Sequence, residues 1–111
     1  MTVKVIKAPF SEWERVEYPT YAKGTAVVLG EKAPTHFCWY AAEIEGRDTY
    51  IPGYFVTDGK LSRDYNPTEL DAKIGDILQV KEIHTVWLLA QDEAGNEGWI
   101  MSECVTSEKH T

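Results

Sequence analysis

The sequence predicts an all-β chain folded into two small β-barrels that follow one another in tandem and pack closely together. Its apolar segments are short, rich in β-branched and aromatic residues, and bounded by Gly, Pro or Asp, as is typical of small barrels. The second half of the chain also repeats the order of turns and strands of the first half. No long segment has a helical period, so helical fold classes are disfavoured.

The internal repeat is visible at four places, and the matched segments are 48 to 51 residues apart. They are residues 23–29 with 74–80, residues 39–42 with 87–90, residues 45–47 with 94–96, and residues 50–56 with 99–105. Within this frame, strands are predicted over residues 25–29, 37–44, 77–83 and 86–91. Gly and Asn at residues 45–47 and 93–96 predict tight hairpin turns.

The repeat places barrel one at residues 1–57 and barrel two at residues 58–106, with residues 107–111 as a frayed tail. Residues 57–60, Thr-Asp-Gly-Lys, are interpreted as a short link between the barrels. About 50 residues per barrel is near the lower limit for independent folding, which predicts a shared interface.

Charge and hydropathy limit the possible partners. The chain has 11 basic and 18 acidic residues, a net charge of −7, which disfavours binding to nucleic acid or to an anionic membrane surface. Residues 57–111 carry most of the negative charge, so a basic partner is expected.

No apolar run reaches the roughly 20 residues of a membrane helix, and residues 1–7 lack the pattern of a secretory signal. A cytoplasmic location is expected.

No residues have the spacing of a catalytic or metal site. His36, Cys38, Cys104 and His110 are potential soft ligands without the tight pairs of a zinc site, so no metal and no cofactor are expected. Neither cysteine has a positioned base, and no Ser-His-Asp, phosphate-loop or HExxH spacing occurs. We therefore expect two free thiols and no enzymatic activity. His84, in a predicted turn, is expected to be solvated.

The motifs resemble the SH3 domain, twice over. In repeat two, the matching residues are Leu61-Ser-Arg-Asp64-Tyr65 for the Ala-Leu-Tyr-Asp-Tyr motif, Glu69-Leu70 and Gly75-Asp76 for the end of the long first loop, Trp87 for the first Trp, and Gly98-Trp99-Ile100 for the closing motif. In repeat one, they are Gly24, Trp39 and Tyr50-Ile51-Pro52-Gly53-Tyr54-Phe55-Val56. Tyr18-Pro19-Thr20 is similar to a segment of bacterial tandem-SH3 proteins of about this length.

SH3 domains bind proline-rich peptides on an aromatic shelf, beside an acidic loop that pairs with a basic residue of the ligand. The resemblance implies that repeat one provides an apolar shelf of Trp39, Pro52 and Phe55. Its first-loop aromatic would be Phe10, Trp13 or Tyr18, which the sequence leaves open.

Repeat two shares the shelf only in part. It keeps Tyr65 and Trp87, and it has Arg63, Met101 and Cys104 where Tyr, Pro and Tyr are usual. Its loop is acidic through Asp64, Glu69, Asp71 and Asp76. The resemblance thus implies a shelf in one repeat and an acidic loop in the other.

The orientation of the tryptophans decides whether such a shelf is accessible. Adjacent strand residues point to opposite faces, so one member of each pair Trp39–Tyr40 and Trp87–Leu88 points outward. The resemblance implies that the Trp of each pair points outward and is exposed. The alternative is that the Trp is buried between the barrels. Trp13 and Trp99 are expected to pack.

The sequence therefore predicts a non-catalytic interaction module that binds an extended peptide or protein partner, basic or proline-containing. The alternative is a module that recognises peptidoglycan peptides of the cell wall, as SH3-like domains attached to bacterial wall hydrolases do. A nucleic-acid-binding barrel is a third class, which the charge disfavours.

Overall fold

The computed structural model describes residues 1–8, 16–33 and 38–107, which form ten β-strands and no α-helix. The all-β prediction is confirmed. The strands are β1 Thr2–Val5, β2 Val28–Lys32, β3 Trp39–Ile44, β4 Arg47–Pro52, β5 Val56–Thr57, β6 Lys60–Leu61, β7 Ile77–His84, β8 Trp87–Gln91, β9 Glu97–Met101 and β10 Val105–Ser107. Short 3₁₀ turns occupy Gly53–Phe55 and Ser102–Cys104. Within the described part of the chain, no helix has the length and apolarity needed to cross a membrane.

The chain divides into two compact units whose boundaries differ from the predicted residues 1–57 and 58–106. Unit 1 contains Met1–Glu17 and Thr68–Thr111, and unit 2 contains Tyr18–Pro67. The reason lies at residues 57–60, which are not a link. Asp58 and Gly59 have φ values of 52° and 75° and close a two-residue hairpin between β5 and β6, within unit 2. Of the predicted tail, Ser107 belongs to β10, and residues 108–111 lie outside the described residues.

Unit 1 contains a five-stranded antiparallel sheet in the order β10-β1-β7-β8-β9. The N-terminal strand β1 therefore pairs with two strands from the other end of the chain, with Lys4 opposite both Thr106 and Ile77. The core of this unit is made of small and medium aliphatic side chains with one thiol. Its members are Val3, Val5, Leu70, Ala72, Leu78, Leu88, Ala90, Ile100 and Cys104.

Unit 2 contains the three-stranded sheet β2-β3-β4 and the two-stranded sheet β5-β6. A two-residue turn at Glu45 and Gly46, with φ values of 51° and 81°, joins β3 to β4 as the sequence predicts. Ile44 and Ile51 are completely buried on the inner side of this hairpin. None of the three sheets closes into a barrel within the described residues.

The four predicted strands correspond to β2, β3, β7 and β8, with shifted ends. Strand β2 begins at Val28 rather than at Thr25, because the residues before it pair elsewhere. Thr25 accepts a backbone hydrogen bond from Leu61, and Val27 donates one to Gly59. Residues 34–37, which include the predicted start of β3, lie outside the described residues.

Candidate functional site

The two faces of the β8–β9 hairpin in unit 1 differ in character. Residues that alternate along β8 and β9 point to opposite faces. Leu88, Ala90 and Ile100 are at most 5% exposed and face the core. The opposite face carries Trp87, Leu89, Trp99 and Met101, which we call the tryptophan face.

Cross-strand pairing arranges the tryptophan face in rows. Leu89 lies opposite Trp99, and Trp87 lies opposite Met101. Trp87, Leu89 and Met101 are half-buried, whereas Trp99 is only 3% exposed, which confirms the packing predicted for it. Three large apolar side chains therefore remain partly accessible on one side of one sheet.

Carboxylates lie at both ends of the row formed by Leu89 and Trp99. Glu82 of β7 pairs with Leu89. At the other end, Glu69 forms a parallel bridge with Trp99, fixed by the bonds Leu70 N–H to Trp99 O (2.8 Å) and Trp99 N–H to Thr68 O (3.1 Å). Partners in such a bridge point to the same face, so the row runs from one carboxylate across two apolar side chains to the other.

Gly98 makes this arrangement possible. A Cβ at that position would lie 2.7 Å from the backbone nitrogen of Leu70 and 2.8 Å from its Cα. Any larger residue would push residues 68–70 away from β9. The glycine that opens the predicted closing motif is thus what brings Glu69 beside Trp99.

His84 lies beside the tryptophan face and is not the solvated turn residue that the sequence predicts. Its ring lies 5.6 Å from the Trp99 ring, and its Nε2 is 2.7 Å from Oε1 of Glu82. Only 13% of its side chain is exposed. The prediction failed because His84 still belongs to β7, where pairing with Trp87 directs it onto this face.

An acidic cavity adjoins the same surface. It has a volume of about 310 Å³ and is lined by Glu17, Leu70, Asp71, Asn96 and Glu97. Glu97 is two residues from Trp99 along β9 and therefore shares its face. Three carboxylates thus border the cavity at the end of the tryptophan face, a setting that attracts a cationic group.

The apolar shelf predicted for repeat one is closed. Trp39 and Phe55 are each 3% exposed and Pro52 is fully buried, so the exposure predicted for Trp39 is wrong. The guanidinium carbon of Arg63 lies 4.5 Å from the centre of the Phe55 ring. The Tyr65 ring packs nearly perpendicular to the Phe55 ring, with the ring centroids 5.6 Å apart. Strand alternation places Trp39 on the outer face of its sheet, but it does not reveal which neighbours cover that face.

Tyr65 has a structural role in unit 2. Its hydroxyl donates a 2.6 Å hydrogen bond to the backbone oxygen of Tyr50, and its side chain is 3% exposed. Burial, with a smaller contribution from Tyr18, raises the pKa of Tyr65 well above its usual value. Of the three candidate first-loop aromatics, Phe10 and Trp13 lie outside the described residues. Tyr18 bonds to the Asp48 carbonyl at 2.8 Å.

The four residues of the predicted acidic loop are divided between the units. Asp64, in unit 2, accepts the Lys23 backbone N–H at 2.8 Å. Asp76 accepts the Lys73 N–H at 2.9 Å, so both of these carboxylates hold turns. Glu69 and Asp71, in unit 1, are the two that lie beside the tryptophan face and the cavity.

Cys38 and Cys104 are free thiols. Burial, followed by the neighbouring Glu103 carboxylate, raises the pKa of the Cys104 thiol. It is therefore held in the thiol form, which is a poor nucleophile. Within residues 1–8, 16–33 and 38–107, no group of three or more His, Cys, Asp or Glu side chains is arranged to hold a metal ion. His36 and His110 lie outside these ranges.

No protein-family description, curated protein or solved structure matches this chain. The site therefore rests on its own geometry. Sequence reasoning singled out Trp87, Glu69 and Asp71, and the structure places these three in unit 1. The sequence did not single out Leu89, Glu82 or Glu97. It drew attention to Met101 only because an SH3 shelf usually has Pro at that position. Period-two alternation from Trp87 and Trp99 was the available signal.

Proposed function

We propose that both units are SH3-like barrels and that the chain is a non-catalytic module that binds an extended, basic segment on the tryptophan face of unit 1. The fold part of the proposal is supported by the shared order of elements. In each unit a three-stranded meander leads through a 3₁₀ turn into a short strand, β10 in unit 1 and β5 in unit 2. That strand pairs in turn with a short strand next to the start of the meander.

The observation that carries the binding part is the partial exposure of Trp87, Leu89 and Met101 between carboxylates on one face. A large aromatic side chain loses much apolar surface to water when a ligand covers it, and such residues dominate binding energies. The rival site in unit 2 has Trp39, Pro52 and Phe55 already buried, and a ligand would gain little there.

The distance between the apolar and acidic parts sets the spacing expected in the ligand. Glu97 and Met101 are four residues apart along β9, or about 13 Å at a rise of about 3.3 Å per residue. A polyproline II segment advances about 3.1 Å per residue, so about four ligand residues span the same distance. We expect a proline or aliphatic residue against Trp87 and Met101, and an Arg or Lys about four positions away at the acidic cavity.

Charge favours this orientation. Unit 1 has 6 Lys and Arg against 12 Asp and Glu, a net charge of −6, whereas unit 2 has 5 against 6 and a net charge of −1. A negative field around the site accelerates the approach of a basic segment, and its effect decreases as salt screens it. Exposed carboxylates contribute mainly to association, and the apolar contacts to affinity.

The test is calorimetric titration with short proline-rich peptides that carry a single arginine at different distances from the apolar segment. Trp87→Ala should weaken binding by about 2 kcal/mol, or roughly 30-fold in Kd. Glu97→Gln should reduce the salt dependence of peptide binding and should discriminate less between the arginine positions in the peptides. Glu93→Gln, in the neighbouring turn, removes one charge as well and serves as the matched control. Unchanged affinity for Trp87→Ala, or equal affinity when the arginine is replaced by glutamate, would contradict the proposal.

A further inference from the structure

Strands β1 and β6 occupy equivalent places in the two units. In unit 1, Val5 accepts a bond from Gly75 N–H at 2.8 Å and donates one to Asp76 O at 2.9 Å. In unit 2, Leu61 accepts a bond from Gly24 N–H at 2.8 Å and donates one to Thr25 O at 2.9 Å.

The partners on the other edge correspond as well. Lys4 lies opposite Thr106 of β10, and Lys60 lies opposite Thr57 of β5. The residue after each strand, Ile6 or Ser62, donates a 2.8 Å bond to the carbonyl of the last residue of the 3₁₀ turn. Each of the two strands thus joins the end of its unit to the start of the meander.

The strands are also alike in sequence. Each presents an exposed lysine followed by a buried aliphatic residue, Lys4-Val5 in β1 and Lys60-Leu61 in β6. Val5 is 0% exposed and Leu61 is 2% exposed. The lysine–aliphatic pair of each strand fits the place of the other, although β1 is two residues longer and also buries Val3.

Chain order makes the observed assignment unexpected. The first strand of a simple tandem repeat would pair with the residues that follow it, so β1 would complete residues 18–57 and β6 would complete residues 68–107. The structure has the reverse arrangement, with β1 in unit 1 and β6 in unit 2. The Asp58–Gly59 turn is the local feature that favours this choice. Both residues have positive φ, as a two-residue type I′ hairpin requires, and this turn connects β5 directly to β6.

We propose that β1 and β6 are interchangeable first strands and that the Asp58–Gly59 turn selects between two arrangements of the chain. With the turn formed, β6 folds back on β5 and β1 enters unit 1. When the turn is disfavoured, residues 58 and 59 extend into a linker. Strand β1 then pairs with β5 and residues 25–27, and β6 pairs with β10 and residues 76–78. Both places are filled in either arrangement, so the exchange conserves the backbone pairing of the two lysine–aliphatic pairs. It breaks the backbone bridge between Tyr21 and Tyr65, which favours the observed arrangement.

The test traps each arrangement by a disulfide in the full chain, with Cys38→Ser and Cys104→Ala introduced to remove the native thiols. Lys4→Cys with Thr106→Cys reports the observed arrangement, and Lys4→Cys with Thr57→Cys reports the second one. Opposed residues in an antiparallel pair have Cα atoms about 4.5–5.5 Å apart, which lies within the range of a disulfide. The measurement is the fraction of each intramolecular disulfide in the monomer after oxidation, determined by peptide mass spectrometry.

With the native turn, the 4–106 disulfide should form and the 4–57 disulfide should be rare. Gly59→Val puts a β-branched residue at a φ of 75°, which should raise the 4–57 fraction about tenfold at the expense of the 4–106 fraction. If that variant does not fold, lengthening the turn with Gly and Ser residues weakens the hairpin without such strain. A 4–57 fraction that stays at the native level in a folded turn variant, or that forms only between two copies, would overturn the proposal.

Discussion

Replacing Tyr65 with Phe removes one hydrogen bond and leaves the shape of the side chain unchanged. The lost bond is the 2.6 Å contact from the Tyr65 hydroxyl to the Tyr50 carbonyl. The near-perpendicular packing against Phe55, with ring centroids 5.6 Å apart, is kept. A hydrogen bond of this kind has a net contribution of about 1 kcal/mol, so the variant should be less stable by about that amount at pH 7.

The pH dependence of that difference is the sharper part of the prediction. Burial raises the pKa of Tyr65 in the folded protein, whereas in the unfolded chain a tyrosine ionises near pH 10. The unfolded state therefore gains stability as pH rises above about 10, and the native protein loses about 1.4 kcal/mol per pH unit that the Phe variant does not lose. The two proteins should be equally stable near pH 11, and the variant should be the more stable one above it.

The assay is urea unfolding from pH 7 to 11, followed by near-ultraviolet circular dichroism. Tyr50→Phe is the matched control, because the Tyr50 side chain is 55% exposed. Loss of this exposed hydroxyl should change the free energy of unfolding by less than about 0.5 kcal/mol. A difference between native protein and Tyr65→Phe that stays constant over this pH range would refute the reasoning, as would a variant that is more stable at pH 7.

Two further predictions concern unit 1. Gly98→Ala should destabilise the chain by at least about 2 kcal/mol in urea unfolding and should weaken peptide binding. The reason is that the added Cβ would lie 2.7 Å from the backbone of Leu70. A variant as stable as the wild type would show that residues 68–70 are not held against β9. Asp92→Ala should cost about 1 kcal/mol at pH 7, because this carboxylate accepts the Asn96 and Ala94 N–H groups at 2.9 and 3.0 Å. The slight burial of Asp92 raises its pKa, but these hydrogen bonds outweigh it and lower the pKa overall. The loss of stability should therefore be complete above the ordinary Asp pKa near 3.9 and should disappear as pH falls through the lowered pKa of Asp92. A difference between the urea midpoints of the two proteins that is equal at pH 7 and pH 2 would count against this prediction.

Local signals in the sequence were sufficient to predict the β3–β4 and β8–β9 hairpins. Gly46 lies at the predicted turn between β3 and β4, and the resemblance, applied to the alternation along β8, predicted that Leu88 rather than Trp87 faces the core. The partners of β1 and β6 were not predictable, because Lys-Val and Lys-Leu offer the same pattern to either unit. The Asp58–Gly59 dipeptide was the available signal. It is a strong hairpin signal, and its interpretation as a linker led to the predicted boundary at residue 57.

The candidate site was predictable only in part, for a related reason. Periodicity together with the resemblance places Trp39 and Trp87 on the outer faces of their sheets, but their exposure depends on segments far away in the sequence. Trp39 is buried and Trp87 remains half-exposed, although the two occupy matching positions. The position of Glu69 beside Trp99 likewise depends on the close approach that Gly98 permits, a tertiary contact without a periodic pattern.

The most direct test of the tryptophan face is to follow the indole N–H resonances of the four tryptophans during titration with a proline-rich peptide that carries one arginine. Binding as proposed should shift the Trp87 indole most, together with the backbone amides of Glu97 and Met101, and should leave the Trp39 indole unchanged. Shifts that concentrate at Trp39 and the backbone of residues 50–55, with Trp87 unaffected, would contradict the assignment of the binding face to unit 1.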